Sequence, residues 1–131
     1  MFLDASAAIA ILAREEDQSC LAEKLATASV VLFSPLANYE TCVGLARSLN
    51  CHPADAEQFV CRMLDAIQAR TVDLTDEIGI AALRAHMLFG KGRHRASLNM
   101  GDCFAYACAT VHKVPLLCKG DDFIHTGIEL A

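Results

Sequence analysis

Five acidic residues, scattered along the whole chain, lie where apolar segments give way to a turn or a helix. They are Asp4, Glu40, Asp102 and the neighbouring pair Asp121 and Asp122. Carboxylates that are distant in sequence repel one another when folding brings them together, so a pocket that gathers them needs a cation. Mg²⁺ prefers such hard oxygen ligands. The pattern therefore predicts a divalent-metal site, with metal-assisted cleavage of a phosphoester bond as its chemistry.

Each acid also has a purely structural interpretation. Asp4 suits a turn between strand and helix, Glu40 suits an exposed helix face, and Asp102 suits a first helical turn, where negative charge is favourable. Two adjacent aspartates are common in turns. Taken together, however, the positions of the five acids favour one shared pocket over five separate structural roles. Three of its positions fall at expected strand ends or helix starts, and the helix that carries Glu40 can lean over them.

Two short apolar segments near the start of the chain predict strands that lead into helices. Residues 1–3 end at Asp4, after which Ser6 is expected to cap a helix. Residues 30–33 are rich in β-branched side chains and run into Ser34, the expected N-cap of the helix that carries Glu40. The beginning of the chain is thus predicted to be strand, helix, strand, helix.

The second half of the chain continues this alternation. A helix is predicted from Pro53 to about Arg70, an extended piece over residues 71–74, and a helix from the cap Thr75 to Phe89. Alternating strands and helices with short connections predict a parallel sheet covered on both faces, whose ligands bind beyond the carboxyl ends of the strands.

Asn99 and Asp102 have the spacing of a capping box, so Asp102 is expected in the first turn of a further helix. Residues 114–118 predict a last strand, and it delivers Asp121 and Asp122 to the same edge of the sheet as Asp4. The elements expected from local patterns therefore place the acids near one another.

Length and composition predict a single domain over residues 1–131. Of these 131 residues, 54% are hydrophobic, which is ample for a core. Charges interrupt every apolar run well before the ~20 residues that span a bilayer, and no basic segment precedes an apolar one at the N-terminus. We therefore expect a cytoplasmic protein.

The seven cysteines are odd in number and do not form a CxxC pair, and the five histidines give no HxxxH spacing. A structural zinc site is therefore not expected. Four of the cysteines, Cys42, Cys61, Cys103 and Cys108, stand among apolar residues of predicted helices. We expect these four to be reduced and buried, as small hydrophobic side chains in a cytoplasmic protein.

The net charge of −5 argues against a protein that holds nucleic acid by bulk electrostatics. One local basic cluster, Lys91, Arg93, His94 and Arg95, lies in a stretch that contains two glycines and precedes Asn99. It has two interpretations, a solvated loop or a contact to phosphate. Any contact to nucleic acid is therefore expected to be local or bridged by metal.

The sequence resembles the PIN-domain ribonucleases, and in particular the VapC-type toxins of bacterial toxin–antitoxin pairs. The resemblance covers the chain from end to end. It is carried by FLDASA at 2–7, SPLANYET at 34–41, GKGRHRASLNMGDCFAYACA at 90–109 and PLLCKGDDFIHTGI at 115–128. The last two stretches are the most specific.

The family's four acids fall on Asp4, Glu40, Asp102 and the Asp121–Asp122 pair, in which Asp122 is the better match because it directly precedes Phe123. The resemblance implies an α/β/α sandwich around a parallel sheet and an endoribonuclease that depends on Mg²⁺ or Mn²⁺. It also implies a homodimer that assembles with a VapB-type antitoxin, as a heterotetramer or larger, with the antitoxin inserted into the active-site groove.

On this interpretation Asp4, Asp102 and Asp122 bind the metal, with Asp121 as a possible further ligand. Glu40 completes the shell or orients the attacking water. Candidate contacts to the RNA substrate are Ser6, beside the first acid, and the basic residues Lys91, Arg93 and Arg95.

The alternative function is a catalytically silent PIN-like module that binds a partner protein. Other metal–carboxylate enzymes fit less well. A phosphatase of the haloacid-dehalogenase type needs a second aspartate where Ser6 stands, and a receiver domain needs adjacent acids early in the chain. A structure-specific DNA nuclease has a larger basic surface than this acidic chain offers.

Overall fold

The computed structural model describes residues 1–131 and contains four short strands and six α-helices. The strands are β1 (Phe2–Leu3), β2 (Leu32–Phe33), β3 (Arg70–Thr71) and β4 (Leu116–Leu117). The helices are α1 (Ala5–Leu12), α2 (Gln18–Ala26), α3 (Pro35–Leu49), α4 (Pro53–Ala66), α5 (Asp76–Phe89) and α6 (Met100–His112), followed by a 3₁₀ helix (Asp122–His125).

The four strands form one parallel sheet in the order β3-β2-β1-β4, so that β1 lies in its interior. Phe2 of β1 is in register with Leu32 on one side and Leu116 on the other. Phe2 and its neighbour Leu3 are both fully buried. Because adjacent strand residues point to opposite faces, helices must cover both faces of the sheet. The predicted α/β/α sandwich is confirmed.

Small side chains allow the helices to approach the sheet and one another closely. On α1 the alanines at positions 7, 8 and 10 are fully buried, and α6 buries Ala107 and Cys108 completely. These residues belong to one core cluster together with the strands. Such tight packing leaves little room for a larger side chain, because protein interiors are already close-packed.

Three predicted helix starts are confirmed by their caps. The Ser34 hydroxyl accepts a hydrogen bond from the Ala37 amide at 3.1 Å, and Thr75 receives one from Ile78 at 3.4 Å. At the start of α6, Asn99 caps the helix by accepting a hydrogen bond from the backbone of the third helical residue. Local sequence thus fixes where these three helices begin.

The prediction that Ser6 caps α1 is wrong, because Asp4 is the N-cap. The Asp4 carboxylate accepts the Ser6 amide at 2.9 Å, and α1 begins at Ala5. The reason lies in the sheet. The Asp4 amide continues the β1–β4 pairing by donating to the Leu117 carbonyl at 2.9 Å, so Asp4 is still extended when the helix starts one residue later.

The prediction that α4 continues to about Arg70 is also wrong, since the helix ends at Ala66. Gln68 adopts a left-handed conformation (φ 50°), which turns the chain away from the helix axis. Arg70 and Thr71 then pair with β2 as the edge strand β3. The extended piece therefore starts one residue before the predicted 71–74 segment, and as a strand it includes only Thr71 of that segment.

The expected burial of four cysteines holds for only two of them. Cys103 and Cys108 are buried in α6, whereas Cys42 is only partly buried and Cys61 is exposed. On α4 the buried positions are Ala56 and Val60, and Cys61 follows directly on the outward side. An apolar neighbourhood in sequence does not by itself place a residue on the inner face of a helix.

None of the six helices combines the length and the apolar character that a membrane crossing requires.

Candidate metal centre

Asp4 lies at the carboxyl end of the interior strand β1 and is almost completely buried. Its Oδ2 atom accepts two hydrogen bonds, from the amide and from the hydroxyl of Ser6. The Ser6 oxygen in turn accepts a hydrogen bond from the Lys119 amide at 2.9 Å, beyond the end of β4. Ser6 therefore connects the first acid to the segment that leads to Asp122.

Asp102 is held in the first turn of α6 by a capping box. Its Oδ2 atom accepts the Asn99 amide at 2.7 Å, and its own amide donates to the Asn99 side chain at 3.1 Å. This reciprocal arrangement satisfies two amides at the helix start. It also fixes the direction of the carboxylate, which is partly buried and near enough to Asp4 and Asp122 for their charges to raise its pKa.

Glu40 reaches the same region from the middle of α3. Its carboxylate lies against Gly101, in the first turn of α6, where a Cβ atom would collide with both carboxylate oxygens. A narrow cleft beside this contact is lined by residues of β1, α3 and α6, among them Asp4, Glu40 and Gly101. The structure therefore brings Glu40 to Asp4 and Asp102, as the sequence predicted.

Asp122 begins the 3₁₀ helix after β4, and its side chain is exposed. Its negative charge contributes to raising the pKa of Asp4 and of Asp102. Asp121, one residue earlier, is exposed and is not among the charges that act on these two acids. Of the two adjacent aspartates, only Asp122 thus acts on the inner acids through its charge.

The three inner carboxylates destabilise one another's charged forms. Burial raises the pKa of Asp4, and the charge of Asp122 adds to this rise. The pKa of Glu40 is raised to about 7 by burial and then by the charges of Asp4 and Asp102. Burial likewise raises the pKa of Asp102 to about 6, against the lowering effect of the capping hydrogen bond from Asn99. A cation among these groups would relieve both burial and repulsion.

The donor set fits Mg²⁺ or Mn²⁺ rather than a softer ion. Its members are carboxylates, although no three acidic, histidine or cysteine side chains lie close enough together to hold an ion by themselves. Mg²⁺ usually keeps several of its water ligands and binds through only one or two carboxylates. The nearby Cys118 is not suited to such an ion, because burial and the surrounding carboxylates raise the pKa of its thiol to about 12.

The predicted RNA-contact residues divide into two groups. Lys91, Arg93 and Arg95 are exposed on the loop between α5 and α6, next to the start of the helix that carries Asp102. His94 anchors this loop by packing edge-on against Phe89, with 5.3 Å between ring centres. Ser6 differs from these three residues, because its hydroxyl is engaged inside the protein and serves to orient Asp4.

Two residues near the acids were missed from the sequence. Gly101 provides the space in which the Glu40 carboxylate lies. Lys119 forms ion pairs with Glu15 and Asp17, the latter at 3.4 Å, and so ties the segment before Asp122 to the loop between α1 and α2. A glycine in a first helical turn beside an acid was a visible signal for the former. The partners of Lys119 depend on tertiary structure.

The family model described as PIN domain matches residues 1–129 of this sequence. The match includes all four predicted acids, of which Asp4 directly follows the interior strand β1. The chain belongs to the PIN-domain family.

Within this family the sequence is similar to VapC ribonucleases. Ribonuclease VapC28 of Mycobacterium tuberculosis is 39% identical over 100% of this chain and 97% of its own length. Among solved structures, M. tuberculosis VapC20, described as a sarcin–ricin loop cleaving toxin, superposes with a TM-score of 0.77 at 18% identity, covering 99% of this chain and 97% of that one. A toxin–antitoxin complex from Klebsiella pneumoniae superposes with a TM-score of 0.70 at 17% identity, covering 99% and 95%. The two structural neighbours establish the fold.

Proposed function

We propose that this protein is an endoribonuclease and the toxin of a VapC-type toxin–antitoxin pair. The observation that carries the proposal is the cluster of Asp4, Glu40, Asp102 and Asp122 at the carboxyl edge of the sheet, three of which have raised pKa values. The full-length similarity to a protein named ribonuclease VapC28 supports RNA as the substrate. The reaction is hydrolysis of an RNA phosphodiester bond.

Asp4, Asp102 and Asp122 are proposed to hold one or more Mg²⁺ or Mn²⁺ ions, directly or through water. A bound ion of this kind supplies a water of lowered pKa and stabilises negative charge on a phosphoryl oxygen. The hydrogen bonds of Ser6 and Asn99 orient the first and third carboxylates before any ligand arrives. Glu40, whose carboxylate lines the same cleft as Asp4, is proposed to orient the attacking water and take its proton.

Lys91, Arg93 and Arg95 are proposed to contact the RNA backbone. They are exposed on the loop that leads into α6, the helix that carries Asp102. Because the net charge is −5, attraction of RNA depends on this local group. Each phosphate contact that is lost should reduce the salt dependence of binding by about one counterion.

We further propose that a VapB-type antitoxin covers the active-site groove and that the toxin is a homodimer. The solved toxin–antitoxin complex with this fold supports an antitoxin as the partner. Ile80, Leu83 and Met87 on α5 are more than half exposed, and apolar surface of this kind is typical of a subunit contact. Light scattering of the purified toxin, alone and with its antitoxin, would measure both assemblies.

The neighbouring aspartates provide a matched test of the proposed activity. Purified wild type and the variants Asp102→Asn, Asp122→Asn and Asp121→Asn are incubated with total RNA, with Mg²⁺ and with EDTA, and the new ends are mapped. We expect discrete, Mg²⁺-dependent cuts from the wild type and from Asp121→Asn, and none from the other two variants. Wild-type protein that is as inert as Asp102→Asn on all RNAs would instead support the silent binding module.

A further inference from the structure

The backbone conformation at Gly101 does not require a glycine. It is buried in the first turn of α6, and its φ angle is not positive, unlike those of Gly92, Gly120 and Gly127. Alanine is a better helix former than glycine by about 1 kcal/mol. A side chain at this position would therefore favour the helix, so the absence of one needs another explanation.

The space next to Gly101 is filled by a carboxylate. The three atoms nearest to a Cβ built on Gly101 are Oε1, Oε2 and Cδ of Glu40, and all three lie closer than a real Cβ atom approaches its neighbours. The two residues come from different helices, α3 and α6. The Glu40 carboxylate thus rests directly on the Cα atom of Gly101.

Glu40 is held differently from the other inner acids. The carboxylates of Asp4 and Asp102 are fixed by hydrogen bonds from Ser6 and Asn99. Neither ion pair of the structure includes Glu40, and none of the side-chain hydrogen bonds fixes its carboxylate. Its position is set by packing against Gly101, close to the amides of the first turn of α6, whose partial positive charge favours an anion.

We infer that Gly101 is a positioning residue for Glu40: the absence of its side chain is what lets the second acid lie beside Asp4 and Asp102. This inference rests on the proposed function for its catalytic consequence, but the contact between the two residues exists without metal or RNA. A methyl group at position 101 displaces the carboxylate, which is the mobile end of a long side chain, and leaves the helices in place.

The chain offers a matched control in Gly79, which lies inside α5 and whose added Cβ would meet nothing within 4 Å. Gly101→Ala and Gly79→Ala receive the same helix-favouring change, but only the first meets Glu40. We expect both to melt at or above the wild-type temperature, and only Gly101→Ala to lose cleavage, by about 10-fold or more. Gly101→Ala should also need a higher Mn²⁺ concentration for half-maximal cleavage.

The double variant Gly101→Ala/Glu40→Ala tests whether the substitution at position 101 affects cleavage through Glu40 or independently of it. Once Glu40 is truncated, the methyl group at position 101 has no carboxylate to displace, so the double variant should cleave no more slowly than Glu40→Ala alone. A double variant that is slower by the full factor of Gly101→Ala would overturn the inference. The same would follow if Gly101→Ala cleaved like the wild type.

A measurement on the metal-free protein keeps this inference apart from the proposed function. The ¹³C chemical shift of the Glu40 side-chain carboxyl should change in Gly101→Ala and stay unchanged in Gly79→Ala. If the wild type cuts no RNA but this shift changes, the contact is established and the proposed function fails. An unchanged shift in Gly101→Ala would overturn the inference even for an active nuclease, and this readout also serves if the variant is less stable than expected.

Discussion

The helix starts of α1 and α6 and the middle of α3 hold their acids by different means. Asp4 and Asp102 each accept a hydrogen bond from a nearby backbone amide and take part in capping a helix. Glu40 caps nothing, and its carboxylate is placed by contact with another helix. The carboxylates of Asp4 and Asp102 therefore stabilise helix starts in addition to their proposed role in the reaction. Glu40 has only the proposed role in the reaction.

The largest effect we expect is on cleavage, and it should be the same for both kinds of acid. Asp4→Asn and Glu40→Gln each remove one negative charge without changing shape. Both should reduce the rate of RNA cleavage at saturating Mg²⁺ by more than about 100-fold. Single-turnover rates on a mapped RNA site would measure this. A Glu40→Gln variant with nearly full activity would show that the acid held by packing is dispensable.

A smaller effect concerns the stability of the metal-free protein as a function of pH. The raised pKa values of Asp4, Glu40 and Asp102 mean that the folded protein retains protons that the unfolded chain has released. The free energy of unfolding should therefore decrease as the pH rises from about 4 to about 7, by on the order of 2 kcal/mol after allowance for solvent screening.

Urea unfolding in EDTA across this pH range would measure the decrease. Saturating Mg²⁺ should restore stability mainly at the upper end of the range, because the ion binds the ionised carboxylates of the folded state. In Glu40→Gln the decrease should be smaller than in the wild type. A metal-free protein whose stability increases between pH 4 and 7 would contradict the mutual repulsion of these groups.

A third prediction separates the capping acids from Glu40 by pairs of substitutions at one site. Asp102→Asn keeps an oxygen that can accept the Asn99 amide, whereas Asp102→Ala does not. The alanine variant should be the less stable of the two by about 1 kcal/mol. At position 40 the alanine and glutamine variants should differ by only a few tenths, in favour of alanine. Chemical denaturation of the four proteins gives both differences.

The smallest effect is expected at the ion pairs of Lys119 with Glu15 and Asp17, which are about one third exposed or more. Lys119→Met should lower the free energy of unfolding only slightly, and by less at high salt. Cleavage should change little, because the Lys119 amide still donates to Ser6. A large loss of activity would show that the ion pairs of Lys119 are needed to position Asp122, in addition to the hydrogen bond from the Lys119 amide to Ser6.

The same distinction explains what the sequence could predict. The starts of α3, α5 and α6 follow from Ser34, Thr75 and Asn99, because capping depends on residues three apart. The start of α1 was misplaced because both Asp4 and Ser6 are good caps, and the choice between them depends on the pairing of β1 with β4. Capping residues thus predicted the starts of α3, α5 and α6, whereas the start of α1 depends on the pairing of two strands that are distant in sequence.

The candidate site follows the same rule. The expected elements placed Asp4, Asp102 and the Asp121–Asp122 pair near one another, with the helix of Glu40 leaning over them. The resemblance of the sequence to the PIN family then favoured Asp122 over Asp121. The contact of Glu40 with Gly101 could not be predicted, because it depends on how closely α3 and α6 pack. The end of α4 near Gln68 was missed for a related reason, since the edge strand β3 exists only by pairing with β2.

Because β1 lies in the interior of the sheet, the two ends of the candidate metal centre, at Asp4 and at Asp122, should differ in local stability. The Asp4 amide is bonded to Leu117 within the sheet, and amides of this kind exchange their hydrogen for deuterium only when the whole domain unfolds. The Asp122 side chain is exposed at the start of a short 3₁₀ helix, and we expect its amide to exchange through local opening. We therefore expect the segment at Asp4 to stay closed until the whole domain unfolds. The segment at Asp122 should open and close many times during the same period.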